Sequence, residues 1–216
     1  MRRAAGPLAF FLLVTPWFSG SSFAGPAPDG YRLVEATAAS VNGEVIFLTD
    51  LTREACLYRC GAYAGETPKD LSMTAVRDRL IADTLVLQEQ KKLGLGELDN
   101  AALAAALAAG ERRMAGCASP CAKTVAEKEL QAFDAKRMLV KEFLARRVVV
   151  FVEVGEGEVE QEVRSRRSRA GVKPEDVTPE KVRAELLEER TDRGIRNWFD
   201  RAASKARIIL SPLEKP

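Results

Sequence analysis

Four cysteines, arranged as two Cys-x-x-x-Cys couples, place the strongest limit on how this chain can fold. On a helix this spacing puts both sulfurs of a couple on one face, with Cβ atoms about 6 Å apart, whereas a disulfide needs roughly 3.8 Å. If both couples are helical and antiparallel, Cys56 would therefore pair with Cys121 and Cys60 with Cys117. The other cross pairing and a bridge within each couple stay open, because Ser119-Pro120 can break a helix and permit a local bridge.

The first 24 residues have the pattern of a secretory signal peptide. Arg2 and Arg3 precede an apolar run at 8–14, and Ser22-Phe23-Ala24 forms a small-x-small cleavage site. Pro16 and the Gly and Ser residues after it end the apolar run well before the roughly 20 residues that a membrane anchor requires. We therefore expect cleavage after Ala24 and export, which favours disulfide formation.

Two other roles for the cysteines are less favoured. Redox-active couples usually have the spacing Cys-x-x-Cys ahead of a helix in an α/β pattern, which neither couple matches. Zinc thiolates usually lie in tight knuckle turns, whereas Cys56 lies in a helical pattern. The sequence thus predicts structural disulfides, with no metal and no cofactor.

Charge and composition exclude several classes of function. The chain contains no histidine, which excludes serine and cysteine triads and His-ligated metal sites. Removal of the leader takes away two arginines and leaves equal numbers of acidic and basic residues, so bulk attraction to nucleic acid is not expected. We expect a protein without catalytic activity.

Periodicity and capping signals predict an α+β fold that is mainly helical. A flexible lead-in at 25–33 is followed by a hairpin around Asn42-Gly43, the strongest short hairpin signal. Asp70 or Ser72 can cap the second helix, and Thr178-Pro179 starts the last one. The predicted helices cover 51–62, about 73–93, 97–114, 122–147 and 179–205, with a further charged helix in 156–169.

Two short strands complete the predicted sheet. Residues 148–154 are dense in β-branched side chains and are predicted as a strand. Residues 206–210 form the second, which needs a partner in the opening hairpin or in 148–154. The result would be a single domain over 34–210 followed by a tail at 211–216.

The helix at 122–147 is predicted to bury one apolar face and to expose its lysines and acids. The Arg164–Arg169 cluster is interpreted as a solvated helix end, with an acidic or phosphate partner as the alternative.

Several motifs in order resemble a known family. The segments ASVNGEVI at 39–46, LTDL at 48–51, RLIADTLVLQ at 79–88 and KKLGL at 91–95 are similar to the N-terminal region of SurA-like periplasmic chaperones, which are relatives of parvulin-type prolyl isomerases. The Trp198-Phe199 helix and the final strand resemble the closing elements of that family. Only about two dozen residues separate 148–154 from the last helix, too few for an inserted parvulin domain.

The resemblance implies an ATP-independent periplasmic holdase for unfolded polypeptides, especially outer-membrane protein precursors. Such a protein needs an exposed apolar groove flanked by charge, and adaptable methionines suit promiscuous contact. Four side chains near the cysteines are the candidate client contacts: Tyr58, Tyr63, Met73 and Met114. The alternatives are a disulfide-stapled envelope module for one dedicated partner and, less favoured, a prolyl isomerase. After signal cleavage no integral membrane segment is expected.

Overall fold

The computed structural model describes residues 35–62, 68–95, 98–169 and 173–213. The predicted signal peptide, the lead-in and Tyr63 lie outside these ranges. The described elements belong to one compact unit, Val34–Pro216. None of the described helices has the length and apolarity to cross a membrane.

Both ends of this unit meet in a three-stranded antiparallel sheet with the order β2-β1-β3. The hairpin consists of β1 (Thr37–Val41) and β2 (Glu44–Phe47), joined by Asn42-Gly43 with φ angles of 53° and 91°. Both residues thus adopt the left-handed conformation that the turn requires and that Asn and Gly tolerate best. The final strand, β3 (Ile208–Leu210), pairs with β1 in the register Val41 to Ile208. Of the two partners predicted for the last strand, the opening hairpin is the one with which it pairs.

Helices make up most of the remaining described chain, which confirms the mainly helical α+β class. Within the described residues there are six α-helices and three short 3-10 helices. The α-helices are α1 (Leu48–Arg59), α2 (Met73–Lys92), α3 (Asn100–Ala115), α4 (Glu127–Arg147), α5 (Glu156–Arg167) and α6 (Pro179–Ala203). The 3-10 helices are Pro120–Thr124, Val149–Phe151 and Pro174–Asp176.

Side-chain caps fix several of the helix starts that the sequence predicts. The Ser72 hydroxyl accepts a hydrogen bond from the backbone N–H of Ala75, and Asp70 in turn binds Ser72. Thr178 accepts from the N–H of Lys181, with Pro179 in the first turn of α6. Such caps satisfy backbone donors that have no partner within the helix.

The prediction of a strand at 148–154 is wrong. Helix α4 continues to Arg147, and Val149–Phe151 form a 3-10 helix. Both edges of β1 are already paired, by β2 and β3, so the central strand offers no free edge to this segment. Val148 is instead buried, and it packs so closely on α6 that a Cβ added at Gly194 would lie 3.1 Å from its Cγ1. The β-branched side chains of the segment pack against a helix and do not take part in strand pairing.

Helix α2 is the centre of the core. It packs against α1, α4, α6 and β1, and its buried side chains Val76, Leu80 and Leu85 join one hydrophobic cluster with the inner face of the sheet. On the other side, Val86 packs with Phe143 and the Trp198-Phe199 pair. Helix α2 is thus buried on two sides.

The sequence predicts that helix α4 exposes its lysines and acids, but some of its charged side chains are buried. Asp134 is 0% exposed, and neither of its carboxylate oxygens has a hydrogen-bond partner within the described part of the chain. Helix α3 approaches it so closely that a Cβ on Gly110 would lie 3.0 Å from Asp134 Oδ2. Burial raises the pKa of Asp134, partly offset by the positive charge of Arg113. The carboxylate therefore destabilises the fold when it is ionised.

We expect Asp134→Asn to stabilise the protein by about 1–3 kcal/mol at pH 7, because it removes a buried charge without a partner and keeps the shape. The folded-state pKa is raised, so the wild type gains stability as the pH falls through that pKa towards the unfolded value near 3.9. The advantage of the variant should therefore shrink at acidic pH. Urea unfolding at pH 7 and pH 4 measures both effects. A variant that is less stable than wild type at pH 7 would contradict the assignment of an unpaired carboxylate.

Candidate functional site

Two disulfides tie α1 to the 3-10 helix Pro120–Thr124 and the turn before it. Cys56 is bonded to Cys121 and Cys60 to Cys117, with Cα atoms 6.0 and 5.3 Å apart. The antiparallel pairing is therefore confirmed, and the bridge within each couple is not formed. The sulfurs of Cys56, Cys60 and Cys121 lie within 4.8 Å of one another, so the two bridges form one compact staple.

Helix α1, held in place by this staple, forms one wall of a cleft of about 280 Å³ that we call the central cleft. Strand β2 and helices α2 and α4 supply the other walls. Its apolar lining consists of Val45, Ile46, Leu57, Leu80, Leu87 and Phe133. Its charged lining consists of Glu44, Asp50, Arg53, Glu54, Asp83, Glu129 and Lys136. The cleft thus combines an apolar surface with charged walls.

A buried ionic cluster lies beneath the central cleft. Arg137, on α4, donates from Nη1 to both oxygens of Asp83 on α2 at 2.9 and 3.0 Å. Lys136 Nζ lies 2.6 Å from Glu54 Oε2 and 3.8 Å from Asp83 Oδ2. These four side chains link α1, α2 and α4 through charge-assisted hydrogen bonds, which are stronger than neutral ones.

The hydrogen bonding of the buried Glu54 carboxylate is incomplete among the described residues. The residue is 5% exposed, and its Oε1 has no hydrogen-bond partner in the described ranges. Burial raises the pKa of Glu54, opposed by the charge and hydrogen bond of Lys136. A donor that entered the cleft and reached Oε1 would satisfy this oxygen.

A second, smaller cleft of about 210 Å³ lies beside the disulfides. Cys56 and Cys121 line it together with Arg53 and Glu129, which also line the central cleft. Arg53 Nε lies 2.8 Å from Glu129 Oε1, and Arg53 Nη1 lies 2.9 Å from Asp50 Oδ1. The ion pair between Arg53 and Glu129 therefore lies at the boundary between the two clefts and links α1 to α4.

No family model matches this chain, and no curated protein matches it. The functional interpretation therefore depends on the residues of the chain itself.

Three of the four predicted client-contact residues, Tyr58, Met73 and Met114, lie in the described part of the chain. Tyr58 is 1% exposed in the core, with its ring edge-on to Phe133 at 5.3 Å and the Arg79 guanidinium 4.8 Å above it. In this structure a client cannot reach Tyr58. Met114 is half-buried against the same cluster, and Met73 is 39% exposed at the start of α2. None of these three lines the central cleft.

The predicted arginine cluster is engaged in ion pairs within the chain. Arg166 binds Glu162 and Glu185, and Arg167 donates to the carbonyl oxygen of Val177. Hydrogen bonds to the carboxylates of Glu162 and Glu185 raise the pKa of Arg166, and the hydrogen bond from Arg166 lowers the pKa of Glu185. These contacts fasten α5 to α6 around the buried Val159, Val163 and Val182, so the cluster contributes to the fold.

Proposed function

We propose that this chain is exported to the periplasm and acts there as an ATP-independent holdase for unfolded polypeptides, such as outer-membrane protein precursors. The observation that carries the proposal is the central cleft, where the exposed Val45 and the half-buried Leu87 lie between charged walls. Clefts of this kind accept exposed apolar segments from clients of differing sequence. The two disulfides support export, since such bonds persist in oxidising compartments.

Apolar side chains also continue from the cleft onto the surface. Val45, Phe47 and Leu48 are 43%, 39% and 37% exposed at the corner between β2 and α1. Contiguous exposed apolar groups commonly mark interaction surfaces. A client segment held in the cleft would therefore find further apolar surface at this corner.

The first experiment measures light scattering of two unrelated unfolded outer-membrane barrels with increasing amounts of the mature protein. A holdase should suppress the aggregation of both at near-stoichiometric ratios without ATP. A module for one dedicated partner would protect neither, and that result would overturn the proposal. Clear turnover of a proline peptide would favour the isomerase alternative instead.

A matched pair of variants tests whether the central cleft is the client site. Val45 and Ile209 both lie opposite Ser40 in the sheet register, one on each side of β1, and are 43% and 49% exposed. Only Val45 lines the central cleft. We expect Val45→Asp to raise the amount of protein needed for half-protection roughly tenfold, because clients would have to bury an added carboxylate.

Ile209→Asp serves as the control, since it introduces the same charge on the same sheet face outside the cleft. It should leave protection close to the wild-type level. Equal loss in both variants would locate client binding outside the central cleft, and circular dichroism would verify that both variants are folded.

A further inference from the structure

The lining of the central cleft carries an excess of negative charge. Five carboxylates face it, against the cations of Arg53 and Lys136. Arg137, behind the lining, adds a third positive charge through its bond to Asp83. The excess is local, because the chain without its leader has as many basic as acidic residues. Cationic groups are therefore attracted to this cleft although the protein as a whole attracts neither sign.

Within the cleft, Glu54 offers the most specific acceptor. Its Oε2 is occupied by Lys136 at 2.6 Å, while Oε1 lacks a partner among the described residues. A buried oxygen of this kind loses about 1–3 kcal/mol through missing hydrogen bonds, and more when it is charged. A donor that reaches Oε1 recovers this loss, whereas an acidic side chain adds repulsion.

The apolar side chains of the lining limit which chemical groups can bind in the cleft next to the cation. Val45, Leu57, Leu87 and Phe133 contact the same cavity as Glu54, so a small hydrated cation would leave this surface without a partner. A polypeptide segment with an apolar side chain next to a basic one can satisfy both parts of the lining. The long apolar stem of Lys or Arg adds further contact.

We infer that the central cleft selects client segments in which a Lys or Arg side chain adjoins an apolar one, with the basic group donating to Glu54 Oε1. This inference rests on the proposed holdase function and adds the chemical class of segment that the cleft binds. The carboxylates at the rim, such as Glu44 and Asp50, attract the basic group, and the exposed Val45 and half-buried Leu87 side chains contact its apolar neighbour.

Fluorescence anisotropy with three short labelled peptides tests the selection. The peptides share one apolar sequence and differ at a single position, which is arginine, its neutral isostere citrulline, or glutamate. The wild-type protein should bind the arginine peptide about tenfold more tightly than the citrulline peptide, the range of one good charge-assisted contact. The glutamate peptide should bind most weakly.

Glu54→Gln should bind the arginine and citrulline peptides with equal affinity. Glu160→Gln removes one carboxylate from exposed α5, where Glu160 contacts only Arg164 among the described ion pairs, and should keep the full preference. If Glu54→Gln is unfolded by circular dichroism, Glu44→Gln at the exposed rim replaces it and should reduce the preference. A preference that persists in a folded Glu54→Gln variant would overturn the assignment to Glu54.

The two proposals fail in different ways. If the wild type binds all three peptides equally while it still suppresses barrel aggregation, the selection is wrong and the holdase function stands. If it suppresses no aggregation but prefers the arginine peptide, the holdase function is wrong and the cleft is a specific peptide site.

Discussion

Removal of both disulfides is expected to destabilise the protein by about 7 kcal/mol, more than the sum of the two single removals. Cys56–Cys121 spans 65 residues of sequence and Cys60–Cys117 spans 57. In the chain-entropy description, closing a loop of roughly 60 residues contributes about 4.3 kcal/mol. When one bridge remains, the second closes only a ring of about ten residues, worth about 2.7 kcal/mol.

Each single removal should therefore cost about 2.7 kcal/mol, and the two together about 7 rather than about 5 kcal/mol. Urea unfolding of three variants measures this: Cys56→Ala with Cys121→Ala, Cys60→Ala with Cys117→Ala, and the variant with all four changes. Since small domains have only about 5–15 kcal/mol of stability in total, the fourfold variant should be largely unfolded near room temperature. Strict additivity, or a full loss of stability from one bridge alone, would contradict the nested-loop explanation.

Local signals in the sequence predicted the parts of the fold that neighbouring residues determine. Asn42-Gly43 predicted the hairpin, and the capping patterns at Ser72 and Thr178-Pro179 predicted where two helices begin. The spacing of the cysteines favoured the disulfide pairing that is formed, although Pro120–Thr124 is a 3-10 helix rather than the start of α4. These features depend on backbone geometry within a few residues, which the sequence specifies directly.

The strand predicted at 148–154 failed because strand formation depends on a partner elsewhere in the chain. Composition indicated β structure there, but the segment forms a 3-10 helix directly after α4 and packs on α6 through Val148. The same limit applies to the candidate site. The central cleft gathers residues from β2, α1, α2 and α4, and no local pattern reports how these elements meet.

One signal for the buried charges was nevertheless present. Asp134 and Arg137 fall within the apolar stripe of α4, at helical spacing between Leu130 and Val140, and all four are buried. Charges at stripe positions face the core, so they need partners on the opposite helix. The interpretation of this helix as having one apolar and one solvated face overlooked that consequence.

Asp83→Ala is expected to cost about 3–5 kcal/mol, because it removes the carboxylate that accepts two charge-assisted hydrogen bonds from the buried guanidinium of Arg137. Asp83 and Arg137 are 4% and 8% exposed, and Arg137 donates to both carboxylate oxygens. Lys136 Nζ, 3.8 Å from Asp83 Oδ2, would keep its closer partner Glu54. The loss should therefore come from the Arg137 side of the cluster, and urea unfolding at pH 7 measures it.

Asp78→Ala is the matched control on the same helix. Asp78 has a side chain that is 63% exposed and lies 3.7 Å from Arg77, so its removal should cost less than about 1 kcal/mol. A double variant, Asp83→Leu with Arg137→Met, should recover much of the stability that Asp83→Ala loses, since apolar side chains often replace a buried ion pair at little cost. Recovery would show that the penalty of Asp83→Ala is the loss of the buried contact between Asp83 and Arg137. A double variant as unstable as the single one would instead assign the loss to packing between α2 and α4, where Arg137 also lies 5.8 Å from the Tyr58 ring.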